Sequence, residues 1–554
     1  MAGKKSFVAA TAVAAVAAGS ACVVALDGPD QANARGVAAA QAQQAPSAAR
    51  DRYPHGLRGE AVTGVRQKPA KAQALSATRA GVKVTLDVLD RTGKAVDAMV
   101  ELYPLAGGDS LYAEVKGGHV QGDLPAGRYA VLTHVNTKEP NGTTSAALVY
   151  LPQVKVAAGT KIMLDARKAE PVAVSVDRAD AKLGEGELRV SQLIAGKRVA
   201  TSYFMGLKNA YITPTGAAPG LILGIQALFT RNGAESGSPY LYNVAREFKG
   251  GIPHRPALNA KTKNLAAVRT TYGTDGRAAC AGAHSGVAWA DNAGAIGFFT
   301  GIGAAPAVRT EYYTPGFKWS LDWMNGKPDC QFDFDTTEVW NGTVSFPKAG
   351  SYRRSLTPAP FGPRGGVVIW GEHDGGEPAL FIPMHSTGSG TSMMAPYPGA
   401  TGQSILRDAK GKVVYSYDQP GAAWKWPVPK PGVYTLTVDE KRAAPLAIRQ
   451  HAVWRFTVKN GKVIPLPSIV WGTPLDARSR AQAGKPQRLT ITAAAKPKLW
   501  VSSDDGKTWK PLAVTGSGKK WTATLTNPQQ GFVSLRALAP GVDQTVIRAY
   551  AIKK

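Results

Sequence analysis

The chain has 554 residues, of which 44% are hydrophobic and 8% aromatic, so it is too long for one core and too apolar for global disorder. Its 66 basic residues exceed its 39 acidic ones by 27, which favours anionic partners such as cell-wall polymers or acidic polysaccharide. The basic residues are scattered, and no nucleic-acid motif or aromatic-interleaved basic stripe predicts specific nucleic-acid binding.

Residues 1–34 have the pattern of an export signal. Lys4 and Lys5 precede an apolar run over residues 7–26, and an A-x-A cleavage site follows at residues 32–34. No later apolar run is long enough to span a membrane as a helix. The pattern therefore predicts a secreted chain that is cell-wall associated at most.

The next two segments differ sharply in composition and in the spacing of their apolar residues. Residues 35–80 are Ala/Gln-rich and then basic, which predicts a flexible linker. From Val82, the string VKVTLDVLD alternates apolar and polar residues, as a strand with one buried side does. Further short strands separated by Pro/Gly turns follow, and they predict a β-sandwich over residues 81–168.

Cys22 lies within the predicted signal. It is not preceded, three positions earlier, by the large aliphatic residue of a lipid-attachment signal, which argues against lipidation of this cysteine.

The same devices recur downstream, so the whole chain is predicted to be all-β. PAGRY (125–129) is echoed by PKAGSY (347–352) and PKPGVY (429–434), which place proline and glycine just before an aromatic residue. We expect tandem sandwiches of immunoglobulin-like or prealbumin-like type. The predicted domains after the first are an irregular β-rich domain over 169–345, a sandwich over 346–470 and an immunoglobulin-like sandwich over 471–554.

Cys280 and Cys330 are the two cysteines that follow the predicted signal. In an oxidising compartment such a pair predicts one disulfide. The alternative adds His284 to make a Cys/His/Cys zinc site, but a fourth ligand and C-x-x-C spacing are lacking. We predict the disulfide and no metal.

Ser392 lies in GTSMMAP, which nearly matches the G-T-S-M-A-x-P signature around the nucleophile of subtilisin-family peptidases. The chain has no D-[ST]-G or H-G-T-H string for the other triad members. The prolines and glycines after Ser392 also oppose the helix that such a nucleophile begins. We therefore interpret Ser392 as a loop serine and predict no catalytic residue.

SSDDGKTW contains an S-x-D-x-G-x-x-W motif formed by Ser502, Asp504, Gly506 and Trp509. Its carboxylate can accept hydrogen bonds from nearby backbone N–H groups, and its glycine can take the turn. We predict a structural hairpin here, since a glycosidase of the sialidase type carries several such motifs and this chain has one.

Two further groups of residues are candidates for binding sites. Trp424 and Trp426 share one face of a predicted strand and are candidates for stacking on sugar rings, together with Trp319, Trp323 and Trp340. The acidic clusters GEHDGGE (Glu372, His373, Asp374, Glu377) and DFDTTE (Asp333, Asp335, Glu338) follow no known calcium-loop template. We interpret the acidic clusters as solvated turns.

The chain resembles the non-catalytic β-rich region that follows the peptidase domain in large secreted bacterial subtilisin-family peptidases. The ordered strings that carry this resemblance are LPAGRYAV, LDARKAEPV, NLAAVRTTYGTDG, RTEYYTPG, EVWNGTVSFP, ILRDAKGKVV, HAVWRFTV, DDGKTW, FVSLRAL and QTVIRAY. The resemblance covers residues 82–554. The peptidase domain itself is absent, so the family's triad has no counterpart here.

Together these features predict a secreted, non-catalytic protein for extracellular binding or scaffolding. Its expected partner is an anionic cell-wall polymer, a polysaccharide or a secreted protein, and no cofactor is expected. The alternatives are a serine peptidase or hydrolase that uses Ser392, and a carbohydrate-binding protein of the cell wall.

Overall fold

The computed structural model describes residues 81–205, 207–289, 297–333, 336–365, 380–392, 396–423, 430–459 and 466–554, with two short strands before them. Within these residues the secondary structure consists of β-strands and two single 3-10 turns, Ala166–Lys168 and Thr262–Asn264. The prediction of an all-β chain built from tandem β-sandwiches is confirmed. Most of the predicted signal and of the predicted linker lies outside the described residues; β1 and β2 are the described strands within them.

The strands of the first half are, in chain order, β1 (Val24–Ala25), β2 (Gln73–Ala74), β3 (Val82–Leu89), β4 (Ala98–Pro104), β5 (Leu111–Val115), β6 (His119–Leu124), β7 (Gly127–Lys138), β8 (Thr144–Val156), β9 (Thr160–Asp165), β10 (Glu170–Pro171), β11 (Ala173–Val176), β12 (Ala181–Ile194), β13 (Lys197–Met205), β14 (Ala210–Ile212), β15 (Leu221–Arg231), β16 (Tyr240–Lys249), β17 (Ala257–Ala260), β18 (Ala266–Tyr272), β19 (Ala279–Ala288) and β20 (Phe298–Ala305).

The strands of the second half are β21 (Ala307–Tyr313), β22 (Lys318–Gly326), β23 (Glu338–Ser345), β24 (Gly350–Leu356), β25 (Leu380–Phe381), β26 (Thr391–Ser392), β27 (Ala400–Asp408), β28 (Val413–Tyr417), β29 (Ala422–Ala423), β30 (Gly432–Arg442), β31 (Arg449–Val458), β32 (Ile469–Gly472), β33 (Arg480–Gln482), β34 (Pro486–Ala493), β35 (Lys498–Ser502), β36 (Lys510–Leu512), β37 (Thr515–Ser517), β38 (Lys520–Thr526), β39 (Phe532–Ala539) and β40 (Val542–Lys553).

The described residues form six sheets of three or more strands, and we number them along the stack. Sheet 1 is β6-β3-β9, and sheet 2 is β10-β14-β8-β7-β4-β5-β2. Sheet 3 is β1-β13-β12-β15-β16-β21-β18-β24, and sheet 4 is β20-β19-β22-β23-β26. Sheet 5 is β28-β27-β30-β31-β40-β39-β35-β36, with β33 also paired to β40, and sheet 6 is β32-β34-β38-β37.

Sheets 1 to 4 lie face to face, and each shared face is an apolar core. Alternation in β3 buries Val84, Leu86 and Val88 against sheet 2, as its sequence pattern predicts. Each such side chain contributes about 1.5–3 kcal/mol to folding. The opposite face of sheet 2 packs on sheet 3, and the far face of sheet 3 packs on sheet 4 through Trp319. The stack ends where sheets 4, 5 and 6 share one large core.

Pairing joins segments that are far apart in sequence. β14 runs parallel to β8, with Ala210 opposite Ala146, so the second predicted domain adds strands to the sheet of the first. β31 pairs with β40, with His451 opposite Thr545, so the last two predicted domains share sheet 5. Among the described residues no helix is long and apolar enough to cross a membrane.

The three echoed Pro/Gly–aromatic strings form the same structure. In each, the tyrosine hydroxyl donates a hydrogen bond to the carbonyl four residues earlier: Tyr129 to Pro125 at 2.8 Å, Tyr352 to Lys348 at 2.9 Å and Tyr434 to Lys430 at 2.9 Å. A Cβ added to the glycine two residues before each tyrosine would meet the ring at 3.5–3.9 Å. The glycine therefore lets the strand start lie directly against the ring.

Glu101, on sheet 2, gives the stability of the fold a predicted pH dependence. It lies on β4, is 3% exposed, and accepts a hydrogen bond from Tyr103. Burial raises its pKa to about 7. An unfolded glutamate titrates near 4.3, so the folded state binds this proton more tightly and its stability falls as the pH rises from about 4.5 to about 7.

We expect Glu101→Gln to remove that fall. The difference in unfolding free energy between wild type and variant should change by on the order of 2 kcal/mol between pH 5 and pH 8, in favour of the variant at pH 8. Urea unfolding at the two pH values measures it. His134, whose pKa burial lowers to about 4, is present in both proteins and cancels in the difference. A difference that is the same at both pH values would contradict the assignment.

Candidate functional site

Ser392 lies on β26, where its backbone pairs with that of Trp340 on β23. Its side chain is fully buried. Ser392 is the last residue of an edge strand of sheet 4, whereas a subtilisin nucleophile stands at the start of a buried helix. A buried hydroxyl is also out of reach of a polymeric substrate.

The predicted disulfide between Cys280 and Cys330 is confirmed. Cys280 is on β19 and Cys330 lies in the turn after β22, with 4.9 Å between their Cα atoms. Both sulfur atoms are used in this bond, so the Cys/His/Cys zinc alternative with His284 is not formed. Among the described residues no group of three or more His, Cys, Asp or Glu side chains is placed to hold a metal ion.

Most of the other candidate residues are core residues or lie outside the described chain. Trp319, Trp323 and Trp340 are at most 2% exposed, so they are core residues of sheet 4 and cannot stack on a sugar. Trp424 and Trp426 lie outside the described residues, as do Asp335 and the whole GEHDGGE cluster with Glu372, His373, Asp374 and Glu377.

The two described acidic residues of DFDTTE have separate partners. Asp333 pairs with Lys327 at 2.8 Å and accepts a hydrogen bond from Thr336. Glu338 instead joins a buried ion cluster with Arg277 and Arg442. The two carboxylates are therefore engaged by cations at different places.

The open face of sheet 5 carries a row of polar side chains that crosses five strands. Gln403 on β27 is opposite Asp439 on β30, Asp439 is opposite His451 on β31, His451 is opposite Thr545 on β40, and Thr545 is opposite Arg536 on β39. With strands about 4.8 Å apart, this row is about 19 Å long. The alternation of each strand sends the intervening residues into the core.

A second row runs beside the first, two residues along each strand. It consists of Thr401, Lys441, Arg449 and Ile547, again in register across β27, β30, β31 and β40. The two rows form the floor of a groove of about 890 Å³, which we call the sheet groove.

The predicted hairpin motif forms the wall of the sheet groove. Ser502 donates to a carboxylate oxygen of Asp504 at 2.6 Å and accepts from the backbone N–H of Gly506 at 2.9 Å. Asp504 also accepts from the backbone N–H and hydroxyl of Thr508 at 2.9 and 2.6 Å. These bonds hold the pKa of Asp504 well below its usual range. Trp509 closes the motif and lines the groove.

Gly506 sets how closely this hairpin approaches the floor. Its φ of 85° is in the left-handed region, and an added Cβ would lie 2.8 Å from Ile547 and 3.3 Å from the Trp509 ring. Asp505 beside it is tied to Arg548 at 2.7 Å, and Arg449 donates to its carbonyl at 3.3 Å. The hairpin is thereby fixed over the second row.

Charges in the sheet groove are largely paired within the protein. His451 and Asp439 share a hydrogen bond of 2.7 Å, and Arg536 pairs with Asp543 at 2.9 Å. Hydrogen bonding to Arg548 lowers the pKa of Asp505. The groove therefore presents a mixed polar surface and not a field of one sign.

Beneath the floor lies a buried polar cluster that the same strands hold. Glu440 and Gln450, which alternate with the floor residues, contact His385, and the His385 ring stacks on Tyr397 at 3.8 Å. Burial lowers the pKa of His385. Arg442 lies 4.8 Å from the Tyr397 ring and binds Asp275 and Glu338. This cluster anchors β30 and β31 from below.

Sequence reasoning singled out the hairpin but missed the floor. Gln403, Asp439, His451, Arg536 and Thr545 are spread over about 140 positions, and only the strand order brings them into one row. The sequence around these residues alternates polar and apolar positions, as in YTLTVDEK and RQHAVWRF. This alternation predicts that each strand has one exposed face, but it does not predict which strands are neighbours.

Comparisons with known proteins leave the family open. No family model matches the chain, and no curated protein does. Among solved structures, a putative adhesin from Bacteroides ovatus has 10% identity over 32% of this chain and 89% of that chain, with a TM-score of 0.14.

Two further solved structures are similarly distant. The Bacillus anthracis TIE protein has 10% identity over 70% of this chain and 72% of that chain, with a TM-score of 0.11. A streptococcal ancillary pilin has 8% identity over 50% and 99%, with a TM-score of 0.12. Likenesses this weak say nothing about function, and the resemblance to the accessory region of subtilisin-family peptidases stays a prediction.

Proposed function

We propose that the chain is a secreted, non-catalytic binding protein whose stacked sheets hold the sheet groove open to an extended polar ligand. The observation that carries this proposal is the row of five polar side chains, from Gln403 to Arg536, in register across five strands. The row is about 19 Å long, which suits a chain-like ligand better than a compact one.

Two other observations support the secreted and non-catalytic parts of the proposal. The Cys280–Cys330 disulfide fits an oxidising compartment, as the predicted export signal does. The burial of Ser392 and its place on an edge strand support a non-catalytic role for this serine. The proposed partner is a component of the cell wall, with the chain's net charge of +27 helping to bring it close.

Thr545 is the residue at which to block the groove. It lies in the row between His451 and Arg536, is partly exposed, and forms no side-chain hydrogen bond with another described residue. We expect Thr545→Arg to lower retention of the secreted chain on isolated cell wall by about tenfold or more, because the long side chain fills the floor. Co-sedimentation with washed wall material measures it.

The matched control is Thr524→Arg, on the exposed side of β38 in sheet 6. It adds the same charge away from the groove and should leave retention unchanged. Both variants increase the positive charge, so attraction by net charge alone would strengthen binding in both. Equal retention of wild type and Thr545→Arg would refute the groove as the binding site.

A further inference from the structure

We infer that the ligand of the sheet groove is a neutral oligosaccharide, with the Trp509 indole as the stacking platform and the floor rows as hydrogen-bonding partners. This inference rests on the proposed function and names the ligand class. It departs from the anionic polymer that the composition favours.

The groove does not share the charge excess of the chain. Its cations Lys441, Arg449 and Arg536 are matched in number by three carboxylates that line the same surface, Asp418, Asp439 and Asp505. Glu440 reaches the same strands from below but is buried and bonded to His385. A polyanion would meet as many repulsive as attractive groups here, whereas a neutral ligand pays no such penalty.

The floor also excludes recognition through backbone hydrogen bonds. β30, β31 and β40 are interior strands of sheet 5, and their backbone groups are paired with neighbours on both sides. An extended peptide that binds by strand addition needs a free sheet edge. A ligand on this face must instead be recognised by side chains. This requirement suits a ligand whose polar groups are hydroxyls on its outer edge.

Side chains with unused hydrogen-bonding capacity line the groove at several points. Within the described part of the chain, the Gln403 amide, the Lys441 ammonium group, the Thr545 hydroxyl and the Trp509 indole N–H form no hydrogen bond with another residue. Gln403 offers both donors and an acceptor, and Thr545 offers one of each. Such a mixture matches sugar hydroxyls, each of which can donate one hydrogen bond and accept up to two.

Trp509 is held in place before any ligand arrives. The bonds of Ser502 and Asp504 fix the hairpin, and Gly506 brings the turn against Ile547 at the edge of the floor. Trp509 is partly exposed and lines the groove, so part of its apolar surface is open to a sugar ring. A platform fixed in this way loses little conformational entropy on binding.

Calorimetric titration with uncharged hexamers of glucose and of N-acetylglucosamine, in 0.5 M NaCl, tests the inference. We expect at least one hexamer to bind the secreted chain at this salt concentration, because screening weakens charge-driven binding and leaves stacking intact. Trp509→Ala should weaken that binding about tenfold or more, and Trp509→Phe should retain part of it. Gln403→Ala should weaken it as well, whereas Gln121→Ala, an exposed strand glutamine on sheet 1, should not.

Failure of this inference is separable from failure of the proposed function. If wall retention depends on Thr545 but neither hexamer binds, and polyglycerol phosphate binds only at low salt, the groove is a binding site for an anion and the inference is overturned. If a hexamer binds equally well to wild type and Trp509→Ala, the indole is not the platform and the inference is also overturned. If Thr545→Arg leaves wall retention unchanged, both proposals fall together.

Discussion

Replacing Arg442 with methionine is expected to lower the free energy of unfolding by about 3–5 kcal/mol, since it removes the fully buried cation that pairs with two buried carboxylates. The Arg442 guanidinium is 1% exposed and binds Asp275 at 3.4 Å, Glu338 at 3.3 Å and the carbonyl of Leu446 at 2.9 Å. Arg277 is the other cation at these carboxylates, and its side chain is 40% exposed.

The loss should appear in urea unfolding followed by tryptophan fluorescence. Trp323 and Trp340 lie in the core that sheets 4 and 5 share, so they report on the junction that Arg442 joins. The matched control is Arg455→Met on β31, whose arginine is exposed and should cost no more than about 0.5 kcal/mol. Equal effects of the two substitutions would mean that the buried cluster does not hold the sheets together.

Removing the disulfide is expected to have the next largest effect. Cys280→Ala together with Cys330→Ala opens a loop whose ends are 50 positions apart, which costs up to about 4 kcal/mol in the chain-entropy model. Wild type in reductant should unfold at the same lower urea concentration as the double variant, and reductant should not change the variant.

The same bond has a direct chemical readout. Thiol-specific labelling without reductant should find no free thiol at Cys280 or Cys330 in the secreted chain. Labelling of both residues in folded, freshly secreted material would show that the bond does not form. The stability loss and the labelling result test the same bond by independent means.

The sequence predicts local structure well here because the local signals are strong. Alternation in VKVTLDVLD places Val84, Leu86 and Val88 in the core, and each proline–glycine–tyrosine string forms its predicted strand start. The disulfide is predicted from two facts alone: two cysteines follow the predicted signal, and the signal implies an oxidising compartment. The strand and the strand starts are determined by residues that are close in sequence. The disulfide is determined because each cysteine after the predicted signal has one possible partner.

Sheet order is not encoded in such local signals. β14 inserts beside β8 and β31 pairs with β40, and both pairings are set by which apolar faces fit together over long sequence separations. The tryptophans illustrate the same limit. Trp319, Trp323 and Trp340 are core residues, whereas Trp509, predicted as a hairpin residue, lines the groove. A tryptophan suits both a buried and a partly exposed position, so its place in the sequence does not predict which of the two it takes.

Lysine acylation followed by mass spectrometry tests most directly whether the sheet groove is the binding site. Lys441 lies on the groove floor and is exposed, and Lys412 is an exposed lysine in the β27–β28 turn of the same sheet. We expect bound wall fragments or neutral hexamer to slow acylation of Lys441 several-fold and to leave Lys412 unchanged. Unchanged labelling of Lys441 by a ligand that demonstrably binds would place the binding surface elsewhere and contradict the account.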